Sequence, residues 1–233
     1  MKKWIATSIL LMTIGKVQAE SLFESYVPVL GIDYKWTRAK IIEDWNYLFA
    51  ESFPGVSLYG SMKFMENIGV EIGYDMTARK GKDRGLVSGD IVGGSAVPAG
   101  VGSPYGFHTS LRFAGAHIDF MGILPVDSNL EVFVSLGLAK VKPTIFVQSL
   151  TGSNTAFDQA VTGIRGNHHR VTRMGFGANW VITDSVGFRA KVLWEGLPAI
   201  LIKDEVAVGV NKLPNLKPWM NGYSVAIGFF MKY

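Results

Sequence analysis

The sequence predicts an all-β fold, an eight-stranded antiparallel up-and-down transmembrane β-barrel with four long extracellular loops. Three features of the 233-residue chain predict it: alternation of apolar with small or polar residues, connections that are short and long in turn, and an export segment at the start. Period-two alternation is typical of strands with two chemically different faces. Bacterial barrels that span membranes have an even number of strands, short periplasmic turns and longer extracellular loops.

The first residues have the pattern of a secretory signal peptide. Two lysines precede an apolar run from Trp4 to Ile14, and Val17-Gln18-Ala19 supplies a small-residue cleavage site. The run is shorter than the roughly 20 apolar residues that a transmembrane helix needs. We therefore expect residues 1–19 to be a signal peptide and residues 20–233 to be a single outer-membrane β-barrel.

Composition excludes several classes of function. Without the three lysines of the signal peptide, the 23 basic and 19 acidic residues become 20 and 19, which gives no support for a nucleic-acid partner. The chain has no cysteine, so disulfides and thiol catalysis are excluded. Adjacent His168 and His169 would point to opposite faces of a strand and would not chelate a metal ion. We expect no metal and no cofactor.

Eight alternating runs, each bounded by Gly, Pro, Asn or Asp, define the predicted strands. They cover residues 27–36, 55–64, 68–77, 107–124, 129–141, 170–182, 186–195 and 220–233. Short turns are predicted at 65–67, 125–128 and 183–185, and long loops at 37–54, 78–106, 142–169 and 196–219. None of the nine prolines falls inside a predicted strand, apart from Pro28 at a rim, as a closed barrel requires.

The composition of the two faces predicts which one meets lipid. The interior of an eight-stranded barrel is only wide enough to be filled by side chains, so the bulky apolar face must be the outer one. The alternative is a soluble lipocalin-like barrel with an apolar interior, but the bulky apolar residues would overfill that interior. On this basis Leu111 and Phe113 face outward, and a bulge near Gly115 is needed for Ile118 and Phe120 to face outward as well.

Aromatic residues are predicted to form two girdles at the membrane interfaces. The upper girdle contains Trp36, Tyr74, Trp194 and Tyr223, and the lower one contains Trp180 and Tyr233.

The inward faces carry acids and bases that we expect to pair with each other at two depths of the lumen. The predicted network comprises Glu71, Asp75, Arg112, Asp119, Glu131, Arg173, Arg189 and Lys191. A lumen filled in this way favours a plug over a water-filled channel. A narrow or gated pore is the alternative.

Four segments resemble the OmpA-type eight-stranded outer-membrane β-barrels: Gly69–Asp75, Ile182–Asp184, Gly187–Ala190 and Gly228–Tyr233. The resemblance concerns the barrel domain and implies a location in the bacterial outer membrane with both termini periplasmic. It also implies that Phe229, Met231 and Tyr233 form the C-terminal signal that the barrel-assembly machinery recognises during insertion. In the same family a lumenal glutamate, matched here by Glu71, pairs with basic side chains.

Enzymatic activity is not expected. His108-Thr109-Ser110 matches the His-x-Ser pair of outer-membrane barrels that deacylate lipid A, but the sequence positions no acid beside it. A lipid A-modifying enzyme is therefore a distant third hypothesis.

The leading hypothesis is a non-enzymatic, monomeric surface protein of the cell envelope, which stabilises the outer membrane or uses its surface-exposed loops for attachment or host contact. Expected partners are outer-membrane lipids and lipopolysaccharide, whose phosphates could meet Arg79, Lys80, Lys82 and Arg84, together with an extracellular or host ligand. Apolar segments at 41–49, with helical spacing, and at 197–202 are the loop regions proposed to make such contacts.

Overall fold

The computed structural model describes residues 27–39, 49–87, 89, 91–92, 95–96, 105–149, 169–197 and 222–233. The predicted signal peptide lies outside the described residues. The strands are β1 Val27–Ala39, β2 Ser52–Met65, β3 Ile68–Thr77, β4 Lys80–Leu86, β5 Ile91–Val92, β6 Ser95–Ala96, β7 Tyr105–Pro125, β8 Leu130–Ser149, β9 His169–Val181, β10 Val186–Leu197 and β11 Gly222–Lys232. No helix in these residues is long and apolar enough to cross a membrane.

Antiparallel pairing closes the sheet on itself. The strand order is β3-β2-β1-β11-β10-β9-β8-β7, and pairing between β3 and β7 completes the ring. Strand β4 also pairs with β7, next to the part that β3 occupies and farther from the end that holds both termini of the sheet. The end that holds the termini is called the lower end, and the opposite one the upper end. Strands β3 and β4 therefore occupy one position in the barrel. The predicted closed eight-stranded antiparallel barrel is confirmed, with β4 as an additional strand.

Short connections join the strands at the end of the barrel that holds both termini of the sheet. The turn after β2 contains only two residues, Glu66 and Asn67. In the turn after β7, the Asp127 side chain accepts hydrogen bonds from the backbone of Asn129 and Leu130, both at 2.7 Å. The predicted short turns are therefore present, and side chains that bond to nearby backbone stabilise them.

Several strands continue beyond their predicted ends. Strand β1 reaches Ala39, β2 begins at Ser52, and β8 continues to Ser149 instead of ending near residue 141. The predicted loop at 78–106 contains β4, β5 and β6. The reason is that β4 and β8 continue to pair with the upper part of β7, so the ladder extends past the lipid-facing region.

The predicted bulge near Gly115 is wrong, because β7 pairs one to one with β8 from Phe107 to Pro125. The irregularity lies instead on the facing strand. Met76 pairs with Ala114 and Lys80 pairs with Leu111, so three residues after Met76 oppose two residues of β7. The break therefore separates β3 from β4 and leaves β7 regular.

The Thr77 side chain replaces the backbone bonds that are lost at this break. Its hydroxyl accepts a hydrogen bond from the Phe113 amide at 2.8 Å, and it contacts the Phe113 carbonyl at 3.3 Å. A buried backbone amide without a partner would cost stability, so the threonine preserves the ladder where its register changes.

Among the residues that the structure describes, Pro54 and Pro143 lie in strand interiors, contrary to the prediction, whereas Pro28 and Pro125 lie near strand ends. Pro54 of β2 pairs with Trp36 of β1, and Pro143 of β8 pairs with Phe113 of β7. The Pro54 carbonyl accepts a hydrogen bond from the Ala78 amide at 2.7 Å. Proline has no N–H to donate in return, and Ala78 lies just after the end of β3. The backbone of Phe113 bonds to Thr77, so Pro143 occupies a position where no bond to β7 is required. Proline is tolerated because each site lies at a gap in the ladder.

The last strand has the orientation that its alternation predicts. Outward side chains such as Phe229 and Tyr233 are 58% and 69% exposed, whereas the inward Ala226 and Phe230 are 2% and 3% exposed. The same alternation gives the barrel an exposed belt of large apolar residues. The aromatic side chains of both predicted girdles are exposed, and their place at membrane interfaces stays a prediction. An outer surface of this kind is typical of barrels that span a membrane.

Candidate functional site in the charged lumen

Inward positions of most strands carry charged side chains, and the tight interior brings them into contact. Of the predicted network, the acids Glu71 and Asp119 and the bases Arg173, Arg189 and Lys191 are buried, with exposures from 0% to 3%. Asp75 is half-buried beside them. The two predicted depths correspond to two layers of ion pairs that share one cluster.

The lower layer is built around Glu71 of β3. Its Oε2 atom accepts from Arg189 at 2.6 Å and its Oε1 atom from Lys191 at 3.2 Å. Lys191 also donates to Asp119 at 3.0 Å. Because Glu71 and Asp119 are directly opposite each other in the β3–β7 register, one lysine from the far side of the barrel contacts both.

Arg189 of β10 is held by aromatic rings as well as by charge. Its guanidinium carbon lies 4.1 Å from the centre of the Tyr59 ring and 5.1 Å from that of Phe133. Asp33 approaches the guanidinium at 3.8 Å. Planar guanidinium groups stack on aromatic faces, so these contacts fix the side chain across the lumen.

The upper layer joins strands from opposite sides of the barrel. Lys35 of β1 donates to Asp75 at 2.7 Å and to Glu195 at 2.9 Å. Arg173 of β9 donates to Asp75 at 2.9 Å and lies 3.3 Å from Asp119 of the lower layer. Arg173 therefore links the two layers into one network.

His117 lies between the layers and was not among the predicted residues. Its ring nitrogens lie 3.5 Å from Glu71 and 3.5 Å from Asp75, and neither nitrogen has a hydrogen-bond partner. The ring fits because Gly73 is directly opposite: a Cβ atom there would lie 2.5 Å from His117 Cε1.

The cluster contains more carboxylates than permanent cations. Five carboxylates lie beside four permanent cations, and the His117 ring lies between them. The carboxylates are Asp33, Glu71, Asp75, Asp119 and Glu195, and the cations are Lys35, Arg173, Arg189 and Lys191. Glu195 was also missing from the prediction, although the parity of β10 places it on the same face as Arg189.

Two predicted network members lie elsewhere. Glu131 pairs with Lys63 near the lower rim, where both side chains are partly exposed, apart from the main cluster. Arg112 faces outward and is exposed, so its predicted place in the lumen is wrong. The error follows from Leu111 and Phe113, which face inward with exposures of 0% and 4%.

Apolar layers lie above and below the charges. Phe53 packs edge to face against Phe113 at 5.0 Å above the upper layer, where Leu111 is also buried. Below the lower layer, Met121, Ile123 and Phe133 form a buried cluster. A cavity of about 20 Å³ lies between the upper layer of charges and Phe113, and one of about 80 Å³ lies between Arg189 and the lower rim.

The cluster does not suit a metal ion. Glu71, His117 and Asp119 can each direct one ligand atom to within 4.8 Å of the others. However, the Lys191 ammonium group contacts both carboxylates, at 3.2 and 3.0 Å, and its positive charge lies where a metal ion would bind. The carboxylate oxygens that would ligate a metal ion already contact lysine and arginine side chains.

A second group of polar residues lies above the lipid-facing belt. His108 Nδ1 is 2.5 Å from Asp83 Oδ1, so the structure supplies the acid that the His-x-Ser pattern lacked. Ser110 lies on the same face of β7 and is 4% exposed, but no hydrogen bond joins it to His108 among the described contacts. Nearby, Lys82 of β4 donates to the Phe49 carbonyl at 3.0 Å.

Several predicted features lie outside the described residues. These are residues 41–48 of the first loop, residues 198–202 of the fourth loop, and His168. The outward orientation of Phe229, Met231 and Tyr233 is present in the structure, whereas their role in assembly stays a prediction.

In this closed sheet the charged side chains face the interior and the apolar side chains face outward, which is the reverse of a soluble barrel. The chain is a closed eight-stranded antiparallel β-barrel with this reversed arrangement of faces. The fold expected from the resemblance to OmpA-type barrels is thus confirmed. No protein-family model and no curated protein sequence matches the chain.

Solved structures of outer-membrane proteins are similar to the chain. One is the attachment invasion locus protein Ail of Yersinia pestis in complex with the heparin analogue sucrose octasulfate, with a TM-score of 0.48, 10% identity, and 90% of this chain and 99% of that chain covered. OprG from Pseudomonas aeruginosa has a TM-score of 0.48 and 11% identity, with 92% and 99% covered. The protease OmpT from Escherichia coli has a TM-score of 0.40 and 9% identity, with 90% and 97% covered. At such identities the similarity concerns the fold alone.

Proposed function

We propose that the protein is a non-conducting, non-enzymatic scaffold that stabilises the outer membrane and carries surface-exposed segments for attachment. Both termini of the barrel sheet lie at the end with short turns, which we assign to the periplasm. The opposite end, with β4 and the long upper parts of β7 and β8, would then be extracellular. Outer-membrane lipids and lipopolysaccharide are the expected partners of its belt.

The ion-pair network across the lumen is the observation that carries this proposal. Arg189 of β10 and Arg173 of β9 both bridge the lumen to β3, through Glu71 and Asp75, and apolar side chains lie above and below the network. Moving a hydrated ion past them would require breaking pairs that are buried away from water. Breaking such a pair costs about 3–5 kcal/mol.

Planar-bilayer conductance of the refolded barrel tests the seal. We expect no stable openings from the unchanged protein. Lys63→Ala, which removes a partly exposed pair below the seal, is the matched control and should also stay silent. Stable openings that Glu71→Ala or Arg173→Ala abolishes would show that these residues line an ion path, and would replace the scaffold by the narrow or gated pore.

Attachment is tested separately through the extracellular segments. Deleting residues 41–49 or 197–202 should reduce binding of cells to host or abiotic surfaces, while a deletion of equal length within 151–160 serves as a control. If binding and membrane integrity persist in both deletions, the attachment role is wrong and only the structural role remains.

A hydrolase is the second candidate, and the contact between Asp83 and His108 is the observation that favours it. A carboxylate that orients a histidine next to a serine is the arrangement by which a hydroxyl becomes a nucleophile. Mass spectra of lipid A from cells with the unchanged protein and with Ser110→Ala decide the matter. Loss of acyl chains that depends on Ser110 would establish the enzyme, and identical spectra would remove lipid A deacylation.

A further inference from the structure

Four exposed cations lie together on the outward face of β7, β8 and β9. They are Arg112, Lys140, Lys142 and Arg170, here called the basic patch. Arg112 belongs to it because β7 runs through without a bulge, which directs Arg112 away from the lumen and toward the surroundings of the barrel.

The strand register makes the members of the basic patch neighbours. Lys140 and Arg170 are directly opposite each other in the β8–β9 pair. Lys142 lies two residues further along β8, on the same face. Arg112 of β7 is directly opposite Thr144 of β8. Lys142 lies two residues from Thr144 on the same face, so it is diagonal to Arg112. Opposite residues in a sheet have Cβ atoms roughly 4.5–5.5 Å apart and diagonal ones roughly 7–8 Å, so one multivalent anion can reach all four.

No acid neutralises the basic patch within the part of the chain that the structure describes. The outward positions of β7, β8 and β9 contain no Asp or Glu. None of the described carboxylates forms an ion pair with these four cations, whereas every lumenal lysine and arginine above has an acidic partner. Like charges directly opposite in a sheet destabilise it, so the patch costs stability until an anion binds.

The basic patch lies at the upper edge of the lipid-facing belt. Trp180 of the lower girdle is directly opposite Leu130. From there, outward apolar side chains continue through Val134, Leu136 and Leu138, which are 58%, 63% and 54% exposed. About ten residues of a strand tilted by about 40° climb roughly 25 Å, the height of the apolar band of such barrels. Lys140 follows at the level of lipid headgroups.

We propose that the basic patch binds the phosphate groups of lipopolysaccharide, while the acyl chains of the same lipid pack on the apolar rows immediately below. The assignment rests on the extracellular placement of this end, which is part of the proposed function. A lipid fits better than a soluble anion because the cations and the apolar rows are continuous on one face. Cations at a membrane surface contribute about 1 kcal/mol each toward anionic lipid.

Reconstituted barrels test the site with two matched triple variants. One replaces Lys140, Lys142 and Arg170 by Gln. The control replaces Arg38, Lys63 and Lys232 by Gln, which removes the same charge from positions outside the basic patch that are not buried. Each barrel is titrated in phosphatidylcholine nanodiscs with purified lipopolysaccharide, with enzymatically dephosphorylated lipopolysaccharide, and with soluble dextran sulfate, and binding is measured by native mass spectrometry and thermal unfolding.

Lipopolysaccharide should bind the unchanged barrel and raise its unfolding temperature, and the control variant should behave in the same way. The patch variant should bind roughly 100-fold more weakly, and dephosphorylated lipopolysaccharide should bind weakly to all three. Equal binding by the patch and control variants would overturn the site. Equal binding of the dephosphorylated lipid would overturn phosphate recognition, and preferential binding of dextran sulfate would indicate a soluble polyanion instead. Conductance does not depend on these charges, so failure here leaves the sealed-lumen proposal to its own test.

Discussion

Lys191→Met isolates the contribution of the buried network to stability. The ammonium group is shared by Glu71 and Asp119, at 3.2 and 3.0 Å, and its side chain is 1% exposed. Methionine keeps most of the length and apolar volume of the lysine. The variant therefore removes the charge and its two hydrogen bonds while the layer stays filled.

The expected loss follows from the two carboxylates that remain. Removing one partner of a buried ion pair typically costs about 3–5 kcal/mol. Glu71 keeps Arg189, and Asp119 keeps its contact with Arg173, so we expect a value near the lower end, about 3 kcal/mol. With a denaturant dependence of about 1–3 kcal/mol per molar urea, the unfolding midpoint should fall by about 1–3 M.

Reversible urea unfolding in phosphatidylcholine vesicles, followed by tryptophan fluorescence, measures this change. Lys80→Met is the control, because that side chain is exposed and the replacement should stay within about 0.5 kcal/mol of the unchanged protein. Adding Asp119→Asn to Lys191→Met should recover part of the loss, since it removes one of the uncompensated charges. A Lys191→Met barrel as stable as its parent would refute the idea that the network holds the lumen closed.

Three further replacements test other parts of the structure. Gly73→Ala should destabilise the barrel by about 1–3 kcal/mol and shift the histidine NMR signal of His117, because the added methyl group meets its ring. Leu136→Arg should cost about 2–4 kcal/mol in vesicles if this side chain faces the lipid interior, and unchanged stability would contradict that placement. Thr77→Val leaves the Phe113 amide without its partner, so stability should fall by about 1–3 kcal/mol and that amide should exchange hydrogen faster; unaltered exchange would show that the threonine does not replace the ladder.

Alternation predicted the closure and the outward face because it reflects a local geometric rule. The parity of Tyr223 through Tyr233 settles which side chains meet lipid, whatever the neighbouring strands do. The same rule placed Glu71, Asp75, Arg173, Arg189 and other charged side chains in the lumen. A single rule of orientation was therefore enough for most of the barrel.

The error at Leu111 and Phe113 has a physical cause. Bulky apolar residues do not always face outward in this barrel, because an apolar layer lies at the top of the lumen. Placing these two residues on the outer face puts Arg112, which lies between them, on the inner face. It also makes a phase shift necessary further along β7, so that Ile118 and Phe120 face outward. The real irregularity lies after Thr77, on the strand that was expected to end there.

The contacts within the lumen could not be predicted from the sequence. Pairing between Lys35 and Glu195, or between Arg173 and Asp119, depends on which strands face each other across the barrel and on their relative stagger. Those distances are set by closure and not by spacing along the chain. The place of His117 likewise depends on the empty space that Gly73 leaves on the neighbouring strand.

Cysteine accessibility of the lumen tests the account most directly, and the absence of native cysteine makes a single label unambiguous. Ser135 lies on the inner face of β8 and is 2% exposed, whereas Ser128 is exposed in a turn. In vesicles permeabilised so that both ends are reachable, Ser128→Cys should react with a polar maleimide at once, and Ser135→Cys should react only after the barrel unfolds. Comparable labelling rates for the two folded variants would show that water passes through the lumen, and would contradict a sealed barrel.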